Sequence, residues 1–228
     1  MISSQATGEW ATRRAWRFAG WASALLAGIL LAAPAFAGSS SVGVRYGWAD
    51  ASGDLFQGSP DLGGCNLAGV QLGLDLLPLV QVEVAGEYVS QSFGFAEGLF
   101  AGIKATGKGD YEDLTLFVTG RANLLSLFVL PVKGYVGGGA NVHYADVKIK
   151  DATQVLGPGV LSGDLEDAIR KATGKTTRVG WHLVAGLRLA FTGFPASVFL
   201  EGRYQDPFKR DQGVPTTKSL YVGLSFNL

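Results

Sequence analysis

The sequence predicts an all-β chain, an eight-stranded antiparallel up-and-down transmembrane β-barrel. Three observations carry that expectation. First, the chain finishes on a strand: Val222, Leu224, Phe226 and Leu228 alternate with Tyr221, Gly223, Ser225 and Asn227, and a strand points such residues to opposite faces. An apolar edge at the end of a chain invites aggregation unless it is paired, and a closed barrel pairs it. Second, seven further segments alternate in the same way. Third, the connections between segments alternate in length, as in barrels with short inner turns and long outer loops.

In order, the first segment is Ser41–Ala49, with Val42, Val44, Tyr46 and Trp48 opposed to Gly43, Arg45 and Gly47. The second, Ala68–Leu76, sets Val70, Leu72, Leu74 and Leu76 against Gln71, Gly73 and Asp75. After a short turn at Leu77-Pro78-Leu79, the third, Val80–Val89, sets Val82, Val84 and Tyr88 against Gln81, Glu83 and Glu87. The fourth, Glu112–Ala122, sets Leu114, Leu116 and Val118 against Asp113, Thr115, Thr119 and Arg121. The fifth, Pro131–Ala145, sets Val132, Val136, Val142 and Tyr144 against Lys133, Tyr135, Asn141 and His143. The sixth, Thr177–Phe191, carries Val179, Trp181, Leu183, Leu187 and Leu189 opposite Arg178, His182 and Arg188. The seventh, Ala196–Gln205, places Val198, Leu200 and Tyr204 opposite Glu201, Arg203 and Gln205, and Tyr221–Leu228 is the eighth. Long, polar outer loops are expected at Asp50–Leu67, Ser90–Tyr111, Asp146–Thr176 and Asp206–Thr216.

The apolar face must be the outer one. Arg or Lys at a bilayer midplane costs about 2–4 kcal/mol, so the charges belong inside. Arg45, Asp75, Glu83, Glu87, Arg121, Lys133, Arg188, Glu201 and Arg203 form the expected lumen network, with Glu83, Arg121, Arg188, Glu201 and Arg203 at its centre. A soluble barrel of the lipocalin kind would need the reverse, an apolar lumen and a polar exterior. Aromatic residues on the apolar face sort by height: Trp48, Tyr88, Tyr144, Trp181 and Tyr204 at outer strand ends, Phe191 and Phe226 at inner ends. Such girdles belong at the two membrane interfaces.

Residues 1–37 read as a secretory signal peptide, with Arg13, Arg14 and Arg17 before a short apolar stretch and Ala35-Phe36-Ala37 as the cleavage site. The barrel then occupies 38–228. The full chain has no net charge, and nothing in it suggests a nucleic-acid partner. Cys65 is the single cysteine, so no internal disulfide forms.

The residues Tyr221-x-Gly223-x-x-Phe226-x-Leu228, the stretch from Gly134 to Asn141 after Pro131, and Gly180 to Gly186 with Leu200 to Tyr204 resemble the small outer-membrane barrels related to OmpA, OmpX and OmpW. The resemblance implies that Tyr221, Gly223, Phe226 and Leu228 are the assembly signal read by the barrel-insertion machinery. Leu228 departs from the phenylalanine at which many relatives end. It further implies a bacterial outer-membrane location, outer-membrane lipid as surroundings and a monomer.

The chemistry is sparse. His143 and His182 are the two histidines, both expected near the outer rim as cross-strand neighbours. Ala145 and Val184 stand where a His-x-Ser pair of the lipid A deacylase kind would need serine, and no carboxylate is expected at strand spacing from either ring. No metal site and no cofactor is expected. Asp164–Lys171 reads as a short helix within the third outer loop. In the second loop, Phe93, Phe95, Leu99, Phe100 and Ile103 are unusually apolar. Either the flanking strands extend past the membrane or the loop packs over the lumen; alternatively these residues form a mouth for a hydrophobic small molecule, as the resemblance to OmpW implies, or touch lipid A chains or a partner surface. The expected role is therefore non-enzymatic, in envelope integrity or contact with a host surface. The alternatives are a narrow conduit for hydrophobic molecules and, third, lipid A modification.

Overall fold

The structure is a computed structural model that describes residues 40–52, 63–77, 79–100, 103–126, 132–154, 174–191, 193–208 and 214–228. Within these, side chains are described except at 63, 95–100, 103–105, 125–126 and 150–154. The expected signal peptide and the helix at Asp164–Lys171 lie outside the described residues.

The strands are β1 (Ser40–Ser52), β2 (Gly63–Leu77), β3 (Val80–Phe100), β4 (Ile103–Ser126), β5 (Val132–Gln154), β6 (Gly174–Ala190), β7 (Ala196–Pro207) and β8 (Thr216–Asn227). Each pairs antiparallel with its neighbour in sequence, and β1 pairs with β8 to close the barrel. The seam runs from Ser41 opposite Asn227 to Ser52 opposite Thr216, and the Leu228 amide donates to the Ser40 carbonyl at 2.9 Å. The expected alternation is physical: along β8, Tyr221, Gly223 and Ser225 are buried while Val222, Leu224 and Phe226 are exposed. The inner turn between β6 and β7 is tight. The Phe194 amide donates to the Phe191 carbonyl at 3.2 Å, and Gly193 adopts φ 80°, the left-handed position that glycine takes in a type II turn.

Two expectations need correction. Ser90–Tyr111 is not a long loop: β3 and β4 continue as one hairpin to Phe100 opposite Ile103, with a register shift between Phe95 and Gly98. Upper β4 also pairs with upper β5, as far as Ala105 opposite Gln154. A three-stranded tongue thus rises above the wall. Its glycines and polar residues read as loop because they give these strand ends no apolar face to alternate with a polar one. Leu72 shares the outward face with Val42 and Val84, its partners in register, yet is only 7% exposed. Val84, Leu187 and Leu224 are exposed, and Val42 and Leu116 partly so.

Candidate functional site

The lumen is where the chain concentrates its polar chemistry. Arg45 on β1, Glu83 and Glu87 on β3, Arg121 on β4, and Glu201 and Arg203 on β7 meet at its centre, each side chain no more than 3% exposed. Arg45 lies 3.3 Å from Glu83, 2.5 Å from Glu87 and 3.8 Å from Glu201. Arg121 lies 2.5 Å from Glu83 and also pairs with Glu201. Arg203 reaches Glu201 at 2.8 Å, Glu87 at 3.0 Å and Glu83 at 3.5 Å. Arg45 Nη2 and Arg121 Nη1 lack hydrogen-bond alignment with their carboxylates despite the 2.5 Å approach, so those two are charge contacts. With equal numbers of arginines and glutamates, the cluster is neutral, which burial at this depth demands.

Aromatic rings and phenols complete it. Arg203 stacks 4.2 Å from the Phe117 centroid and Arg121 4.7 Å from that of Tyr135. The Tyr221 hydroxyl donates to Glu87 at 2.7 Å, and that of Tyr135 to Glu201 at 2.9 Å.

Glycines make these meetings possible. Gly69 sits between Arg45 and Glu87 in one register row, and Gly186 between Tyr135 and Glu201. A side chain at Gly69 would put its Cβ 2.9 Å from Glu87 Cγ. Large partners two strands apart therefore touch over an empty position. Sequence spacing within one strand carries no sign of this, which is why Arg45 and Glu87 were not expected at the centre.

The remaining predicted charges lie lower. Arg188 is not central: it donates to Gln81 at 3.4 Å and lies 5.9 Å from the Tyr135 ring, with buried Phe199 as its register partner. Asp75 accepts from Gln81 at 2.8 Å, and Lys133, opposite Arg188, is exposed.

The histidines also depart from expectation. His143 pairs in register with Arg178 and His182 with Gly139, so they are not neighbours. A carboxylate does reach His143: Asp113 Oδ2 is 2.7 Å from its Nδ1, diagonally across β4 and β5, since Asp113 itself faces Ala145. Diagonal partners depend on register, which spacing along the chain does not reveal. Thr115 Oγ1 lies 3.0 Å from Asp113 and 2.9 Å from His143 Nδ1. A serine-hydrolase triad puts the carboxylate on Nδ1 and the nucleophile on Nε2. In this dyad both partners sit on Nδ1, and Nε2 has no hydrogen-bond partner among the described residues. His182 Nε2 meets Thr119 at 2.9 Å.

Above the charge cluster, a space of about 20 Å³ borders Cys65, Tyr111, Asp113, Thr115 and Gln205, room for about one water. Phe93, on the tongue, is 7% exposed and its ring lies against its register partner Gly109. The side chains of Phe95, Leu99, Phe100 and Ile103 lie outside those described. Of the assembly-signal residues, Tyr221 and Gly223 face the lumen, while Phe226 and Leu228 are exposed on the wall.

No family model and no curated protein matches the sequence. Among solved structures, Neisserial surface protein A (NspA) is similar with a TM-score of 0.54 and 14% identity, over 83% of this chain and 97% of that one. The outer membrane protein OprG of Pseudomonas aeruginosa is similar with a TM-score of 0.51 and 15% identity, over 84% and 96%. This chain has the fold of the small eight-stranded outer-membrane β-barrels. The exposed Val44, Val118, Leu183, Leu200 and Val222 form an apolar band around the outer wall, with Trp48 and Tyr144 toward one end of the strands and Phe191 and Phe226 toward the other.

Proposed function

We propose that the chain is a monomeric, non-enzymatic barrel of a bacterial outer membrane, serving envelope integrity or surface contact rather than transport. The observation that carries this reading is the neutral six-residue cluster of arginine and glutamate that meets at the centre of the lumen from β1, β3, β4 and β7. A plug whose charges pair with one another holds its strands together and obstructs the path of a solute. Closure of β1 on β8 leaves no unpaired edge in the wall itself, which supports a monomer. The Asp113–His143 dyad, with no nucleophile on Nε2 among the described residues, favours a structural role over acyl chemistry. Packing of Phe93 against Gly109 favours a closed tongue over an open mouth.

The test is electrical and genetic. Purified barrel in planar bilayers should give no stepwise conductance, and deletion of the gene should sensitise cells to detergents and large antibiotics. Steady conductance, together with an unaltered deletion strain, would overturn the reading in favour of a conduit.

A further inference from the structure

The outer wall carries a groove that the lumen's chemistry does not use. It measures about 460 Å³, within the range of small-ligand sites. Its floor is Leu114, flanked in register by Tyr88 on β3 and Tyr144 on β5. Ala68 beside Tyr88, and Gly86 one row below, supply little or no side chain and give it depth. One row toward the outer end, Glu112, Asp146 and Lys175 stand in register. Lys148 Nζ lies 3.1 Å from both Glu112 Oε2 and Asp146 Oδ2, with its side chain 45% exposed. Successive outward residues on a strand are about 6.6–6.8 Å apart, so the apolar floor and the charged rim are separated by the step from acyl chains to headgroups.

Surface ion pairs of this kind stabilise a fold little, so barrel stability does not account for the rim. Its charges do match a ligand. Two ammonium groups and two carboxylates surround the mouth. A purely anionic headgroup would set its charge beside Glu112 and Asp146. A phosphate with an adjacent ammonium satisfies both signs.

We propose that this groove seats one zwitterionic phospholipid, its acyl chain on Leu114 between Tyr88 and Tyr144 and its headgroup on Lys148, Lys175, Glu112 and Asp146. The proposal rests on the outer-membrane reading above. It adds a defined lipid site to the envelope role: a barrel holding a glycerophospholipid at the outer interface.

Native mass spectrometry of the full barrel, released from mixed micelles containing phosphatidylethanolamine and phosphatidylglycerol of identical chains, tests it. The expected result is one retained phosphatidylethanolamine per chain, at least fivefold over phosphatidylglycerol. Leu114→Trp fills the floor and should abolish retention; Glu112→Gln with Asp146→Asn removes the carboxylates that distinguish an ammonium from a neutral glycerol and should abolish the headgroup preference. Each variant is first shown to be folded by heat-modifiable gel mobility. Equal retention of the two lipids, preference for phosphatidylglycerol, or unchanged retention by folded Leu114→Trp would overturn the site. A chain that folds into vesicles yet retains no lipid overturns the groove alone, whereas failure to insert into vesicles overturns the membrane reading beneath it.

Discussion

Replacing Glu201 by leucine should be the most damaging single change in the lumen. Glu201 is the carboxylate shared by Arg203 at 2.8 Å, Arg45 at 3.8 Å and Arg121, and it accepts the Tyr135 hydroxyl at 2.9 Å. Its loss leaves the buried arginines with only Glu83 and Glu87, and a net positive charge in the plug. Breaking a buried ion pair by removing one partner costs about 3–5 kcal/mol, chiefly because the other charge stays desolvated. Arg121→Leu should cost less, near the lower end of that range. Both of its partners keep others: Glu83 has Arg45 at 3.3 Å and Arg203 at 3.5 Å, and Glu201 has Arg203 and Tyr135. The double variant restores neutrality, so its cost should fall below the sum of the singles by about 0.5–3 kcal/mol. Urea unfolding in lipid vesicles, followed by tryptophan fluorescence, measures all three. An unchanged midpoint for Glu201→Leu, or strict additivity in the double variant, would refute a coupled plug.

Three other outcomes are expected. Val118→Arg, on the exposed outer wall, should lower stability in vesicles by about 2–4 kcal/mol, and a neutral effect would contradict the proposal that this wall faces lipid. Gly69→Ala should cost about 1–3 kcal/mol by overpacking, because its methyl intrudes between Arg45 and Glu87; equilibrium unfolding reports it. His143→Ala and His182→Ala should leave the lipid A mass spectrum of the host unchanged. A spectrum altered by wild type and restored by either variant would establish acyl chemistry.

Period-two alternation made the eight strands and their outward faces legible, because burial on one side only leaves that trace in the residues themselves. What it could not show is anything that depends on which strand lies opposite which. Asp113 meets His143, and Arg45 meets Glu87 over Gly69, only once the register is known. Toward the far ends of β3 and β4 the trace itself fades. Ser90–Phe100 and Ile103–Tyr111 form a hairpin, but their glycines and mixed polarity carry the composition of a loop. Arg188 was misplaced for a different reason: its parity is right, but Gln81 and Tyr135 hold it below the cluster, and height within a sheared barrel is not a property of parity.

The seam between β1 and β8 has a kinetic meaning. Ser40 and Leu228 are direct partners, so the contact that completes the wall joins the two most distant described residues. Every other strand pair is local, a hairpin that can form as its own segment becomes available. The closing pair alone must wait for the whole wall, and contacts of such span are the slow ones in folding. Until they form, the barrel is an open ribbon with two raw edges, each able to pair with another unfinished copy. The vulnerable moment in the life of this protein is therefore the interval before its ends meet.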